Sequence, residues 1–135
     1  MTNRTVTLQI PEAIYERIEQ NAQATGQTVE MVATDFLTWL WMDLPPDLTP
    51  EALETFFDYR LRAIAWHPHF SKADTMLRRL HKLNEQGELP DEQRKEFDAL
   101  RSKAQYELDL SLQSWRILER RGLSSEHRAE LRFDR

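Results

Sequence analysis

The chain has 135 residues, the size of one ordinary domain or of a very small unit joined to a modest one. Hydrophobic residues make up 40% and charged residues 30%, with three glycines and no cysteine, which excludes disulfides and thiol catalysis and points to a helical globular protein. The net charge is −5, and −4 of it falls on residues 1–44, where Arg4 and Arg17 face six carboxylates, so this part repels phosphate backbones.

The longest greasy run, residues 36–42, is far too short to span a bilayer, and the opening MTNRT lacks the apolar core of a signal peptide. The expectation is a cytoplasmic protein with no membrane partner.

In chain order, TVTLQIP (residues 5–11) comes first. Val6, Leu8 and Ile10 alternate with Thr5, Thr7 and Gln9, the period of a strand with one apolar face. Pro11 and Glu12 then suit the first turn of a helix, and Ile14, Ile18 and Ala22 continue it as an apolar stripe up to Gly26. Thr28 is placed to cap a second helix that turns Val29, Val32, Ala33, Phe36, Leu37 and Leu40 inward and ends at Trp39-Leu40-Trp41-Met42.

Pro45, Pro46 and Pro50 mark a linker over 45–50, separating a domain 1–44 from a helical domain 51–135. Past it, the pattern predicts a third helix from Pro50, capped by Thr49, carrying Leu53, Phe56, Phe57, Leu61 and Ile64. Pro68 in WHPHFS interrupts it, and Ser71 caps a fourth helix with Met76, Leu77, Leu80 and Leu83. The turn at Gly87 leads to a fifth helix over about 91–121, whose inward positions read as Phe97, Leu100, Ala104, Leu108, Ser111 or Leu112, Trp115 and Leu118. The fourth and fifth helices are expected to form an antiparallel hairpin over 71–121, and a short tail helix over 125–133 is possible from the pattern.

The stretch TVTLQIPEAIYERIEQNAQATGQTVEMVATDFL resembles the ribbon-helix-helix superfamily, the Arc- and MetJ-type bacterial repressors and many antitoxins. The resemblance implies a mainly α fold: one strand and two helices forming an intertwined homodimer, followed by the helical hairpin domain. It implies a dimer core of Val6, Leu8, Ile10, Ile14, Ile18, Val32, Phe36 and Leu37. It further implies base contacts to duplex DNA by Thr5, Thr7 and Gln9, and phosphate contacts by Arg4, Thr28 and Val29. Arg4 sits on the other side of the alternation from the expected reading face, a departure from the family pattern. The C-terminal helices resemble antitoxin-like tails that bind a second protein such as a toxin, and Trp39, Trp41 and Trp115 are candidate contacts with it.

Chemistry is sparsely signalled. His67 and His69 frame Pro68, with His81 further on, but a metal site needs three or four converging ligands and the intervening proline works against convergence. No phosphate loop or nucleophile elbow is visible. The expectation is therefore no catalysis, no metal, no cofactor and no small-molecule substrate. Two functions fit: a dimeric, antitoxin-like regulator that binds operator DNA, or an adaptor or assembly factor that uses its N-terminal unit only to dimerise.

Overall fold

The computed structural model describes residues 3–123, so the expected tail helix lies outside the described residues. Five α-helices carry the fold: α1 (Glu12–Thr25), α2 (Val29–Trp41), α3 (Asp58–Trp66), α4 (Lys72–Glu85) and α5 (Asp91–Arg120). Two short 3-10 turns, Ala52–Thr55 and His67–His69, flank α3. Among the described residues no helix is long and apolar enough to cross a membrane.

There is no β-strand among the described residues, which overturns the ribbon-helix-helix reading and the strand it required. Residues 3–11 have no regular secondary structure, and Val6 and Leu8 are 77% and 70% exposed. The physical reason lies in the backbone: a strand exists by pairing its N–H and C=O groups with a neighbouring strand, and no described segment of this chain supplies one. Alternation of side chains states which residues share a face; it does not supply the partner.

The chain divides into two compact units, Met1–Asp35 and Phe36–Arg135. In the first, Gly26 closes α1 at φ +67, where its missing side chain removes the usual penalty. The Thr28 hydroxyl accepts from the Met31 N–H at 3.1 Å and starts α2. Of this unit's described residues only Ala22 and Val32 are buried.

The second unit is built around α5. Leu44, Leu53, Leu61, Ile64, Leu110, Ile117 and Leu118 form its main core, with Trp39, Leu48, Phe56, Tyr106 and Trp115 packed on the outside of it. Small side chains let α3 and α5 approach closely: Ala63, Ala65, Ser111 and Ser114 are all buried. The Ser111 hydroxyl donates to the Ala65 carbonyl at 2.7 Å, so its polarity is satisfied inside the core. α4 folds back along the first half of α5 and forms a separate cluster of Leu80, Leu89 and Phe97.

Two local expectations change. The third helix is not continuous from Pro50: the turn Ala52–Thr55 ends at Phe56 and Phe57, both in extended conformation, before α3 begins. This break lays Phe56 edge-on against Trp39, with ring centroids 5.3 Å apart, and Arg121 donates to the Phe56 and Glu54 carbonyls that the break leaves open. The inward face of α5 is rotated from the one its leucines suggest, since Leu108 and Leu112 are 44% and 45% exposed while Glu107 is buried. In the linker 45–50, Pro46, Asp47, Thr49 and Pro50 are exposed, and Pro45 and Leu48 are half-buried. The Tyr106 hydroxyl accepts from the Leu48 N–H at 3.1 Å and faces the carbonyls of Leu48 and Pro45.

Candidate functional site

The polar centre of the second unit starts from two local rules. Pro68 bends the chain into the turn His67–His69, and Ser71 follows as the N-cap of α4, its hydroxyl accepting from the Ala73 N–H at 3.2 Å. The bend turns His67 inward until it is 1% exposed, opposite Glu107, which is 2% exposed on α5. Each Glu107 oxygen is occupied: Oε2 faces His67 Nε2 at 2.9 Å, and Oε1 accepts from the Ser71 hydroxyl at 2.8 Å. The other ring nitrogen, Nδ1, lies 3.0 Å from the Trp39 carbonyl.

A carbonyl only accepts, so Nδ1 carries a hydrogen. Nε2 faces the carboxylate, so the imidazole and Glu107 form a buried hydrogen-bonded pair. Burial pushes the Glu107 carboxyl up, but hydrogen bonds from His67 and Ser71 and the charges of His67 and Lys103 outweigh it. The carboxyl is held below its ordinary value. Lys103, one turn earlier on α5, is itself paired with Asp43 at 3.0 Å.

Serine, histidine and a carboxylate together suggest a hydrolytic triad, but the connections differ. In a triad the imidazole takes the serine proton. Here Ser71 donates to Glu107 and both imidazole nitrogens are occupied elsewhere, so the imidazole is not placed to activate the hydroxyl. The arrangement ties α2, the turn after α3, the start of α4 and the middle of α5 at one carboxylate. It is a structural tie.

His67 thus serves the core, while His69 is exposed and rests against Trp66 with centroids 5.4 Å apart. Among the described residues no group of three or more potential ligands converges on a metal position.

Of the three candidate partner tryptophans, Trp39 and Trp115 pack on the main core, and Arg60 lies 5.0 Å from the Trp39 ring centre. Trp41 is 56% exposed and meets Phe70 edge-on at 5.3 Å, with the exposed Met42 next to it in sequence. Thr5, Thr7, Gln9 and Arg4 are exposed, as is Thr28, while Val29 is half-buried. Among the residues expected in a dimer core, Val6, Leu8, Ile10, Ile14 and Leu37 are exposed, Ile18 and Phe36 half-buried and Val32 buried. No family model matches this chain, and no curated protein or solved structure does either.

Sequence reasoning missed Glu107 and Ser71 as partners of His67. One signal was available: position 107 continues the inward series of residues 97, 100 and 104 at helical spacing, and a carboxylate on an apolar stripe calls for a buried partner.

Proposed function

We propose that the protein is a self-associating adaptor: the N-terminal unit joins copies of the chain, and the helical second unit carries a surface for a partner protein. One observation supports this reading above all. Val6, Leu8, Ile10, Ile14, Tyr15 and Met31 are all exposed in a unit that buries only two of its described apolar side chains. Covering a large apolar side chain is worth about 1.5–3 kcal/mol. A unit this small does not bury enough surface by itself, and a second copy supplies the missing cover.

A regulator that binds operator DNA is the second reading. The exposure of Thr5, Thr7 and Gln9 favours it, and the net charge of −4 over residues 1–44 opposes it.

Salt separates the two. Self-association of an acidic unit strengthens as ionic strength rises, because repulsion between copies is screened. DNA binding weakens steeply under the same change. Sedimentation velocity at micromolar concentration is expected to give a mass above the 16.1 kDa of one chain, increasing with salt. Replacing Val6 and Leu8 with Asp should return the protein to a monomer. A folded wild-type monomer at every salt concentration would end the adaptor reading, and tight duplex binding at low salt would replace it with the regulator.

A further inference from the structure

Helix α5 carries a second regularity besides its buried face. Arg101, Gln105, Leu108, Leu112, Trp115 and Glu119 recur at alternating steps of four and three residues, the spacing of a coiled-coil seam over about 27 Å of helix. Trp115 is half-buried and the other five are exposed, with Leu108 and Leu112 at 44% and 45%. The seam stands as a ridge between two clefts of about 270 and 620 Å³, which share Arg101 and Gln105 as a common wall. It is also symmetric about residue 110. Leu108 and Leu112 lie equally far on either side of that point, as do Gln105 and Trp115, and as do the oppositely charged Arg101 and Glu119.

We propose that this seam pairs with the same seam of a second copy of the chain, antiparallel, about a two-fold axis at residue 110. Leu108 of each copy then meets Leu112 of the other, so the leucines cover one another. Arg101 of each copy comes level with Glu119 of the other, an attraction that the two-fold axis makes twice. A parallel pair would set Arg101 against Arg101 and Glu119 against Glu119, and like charges directly opposed are unfavourable. Among the described residues Arg101 makes no ion pair, and its guanidinium lies 5.6 Å from the Phe97 ring centre. A ridge flanked by grooves also fits its own copy, each ridge lying in the groove beside the other. Four leucines fall well short of the area of about 1,200–2,000 Å² that a stable interface buries. The seam therefore closes between copies that the N-terminal unit already holds together, where tethering raises their effective concentration.

The pairing rests on the adaptor reading for that tether, but its test is read separately. The chain has no cysteine, so the single variants L108C and L112C give an unambiguous cross-link. An equal mixture of the two, equilibrated in a glutathione redox buffer, is expected to form mainly the mixed disulfide. The antiparallel register brings residue 108 level with residue 112 and leaves like positions about 6 Å apart along the axis. Adding R101E to both variants should lower the mixed yield about threefold at low salt, through loss of two exposed ion pairs. All three positions are exposed, so the variants should fold, and a thermal melt verifies this. Self-linked L108C or L112C in excess of the mixed product, no disulfide dimer in any sample, or a yield indifferent to R101E overturns the proposal. Sedimentation of the wild type reports the N-terminal association. A wild-type monomer whose variants still link 108 to 112 at high concentration ends the adaptor's dimer and leaves the seam standing. A wild-type dimer whose variants give no mixed product does the reverse.

Discussion

His67 Nε2 and Glu107 Oε2 lie 2.9 Å apart with both side chains almost wholly buried, and forty residues of sequence separate them. Removing one partner leaves the other buried without compensation, which costs about 3–5 kcal/mol. Glu107→Ala is therefore expected to lower the unfolding free energy measured in urea by that amount at neutral pH. Glu107→Gln, which can still accept from Ser71, should lose less. Equal stability of Glu107→Ala and the wild type would contradict the buried pair.

The same carboxyl predicts a pH dependence. Its folded pKa is depressed below the ordinary 4.5, so the unfolded chain binds its proton first as acid is added. The stabilisation is complete above the unfolded value and is lost as pH falls through the folded one. Melting temperatures of wild type and Glu107→Gln measured from neutral to strongly acidic pH should differ by a constant amount above about pH 5 and converge below 4.5. A gap that widened in acid would refute the assignment.

Tyr106→Phe tests the clasp on the proline segment. Losing the hydroxyl leaves the Leu48 N–H with only the Pro45 carbonyl at 3.3 Å and the Leu48 carbonyl without the phenol donor, at a cost of about 1 kcal/mol. Hydrogen exchange at the Leu48 amide should accelerate more than exchange at core amides of α3. Burial pushes the Tyr106 phenol above its ordinary 10.0, with the Leu48 N–H acting against this and the Asp47 charge adding to it. The variant should accordingly lose a phenol that ionises above the ordinary 10.0 in an ultraviolet titration.

Ser71 has two roles, capping α4 and donating to Glu107. Loss of a cap alone costs about 1 kcal/mol. Ser71→Ala in the wild type should cost more than that, and in a Glu107→Ala background, which removes the acceptor, only the capping share should remain. A double-mutant cycle with zero coupling would show the two roles to be independent.

Leu61 and Ile117 are nearly inaccessible, and truncating either to Ala should cost about 2–5 kcal/mol. Trp41→Ala, at a site 56% exposed, should leave the denaturation midpoint nearly unchanged. If instead Trp41→Ala proved as costly as Leu61→Ala, that tryptophan would have to be packed in a way the fold does not show.

What could be read from the sequence was what is decided locally. Pro11 opening α1, Gly26 closing it, Thr28 and Ser71 as caps and the start of α5 after Pro90 depend on neighbours a few residues away, and each lies where the pattern put it. What depends on distant partners was misread. The alternation over residues 5–10 reads as a strand that pairs with a second copy, but no strand forms there among the described residues. Leu108 reads as inward because it is greasy, and of the alternatives Ser111 and Leu112 the serine is the buried one, since the face of α5 is set by where α3 packs. Glu107 was passed over because its partners, His67 and Ser71, come from other elements.

Helix α5 is thirty residues long, about 45 Å. The cluster around Leu80 and Phe97 sits on its first half and the one around Ile64 and Leu118 on its second, and they have no residue in common. Between them lie Lys103, Tyr106 and Glu107, all engaged in polar ties. Two separate apolar clusters therefore hold the two halves of one unbroken helix, and hydrogen exchange is expected to report them as two distinct sets of protected amides.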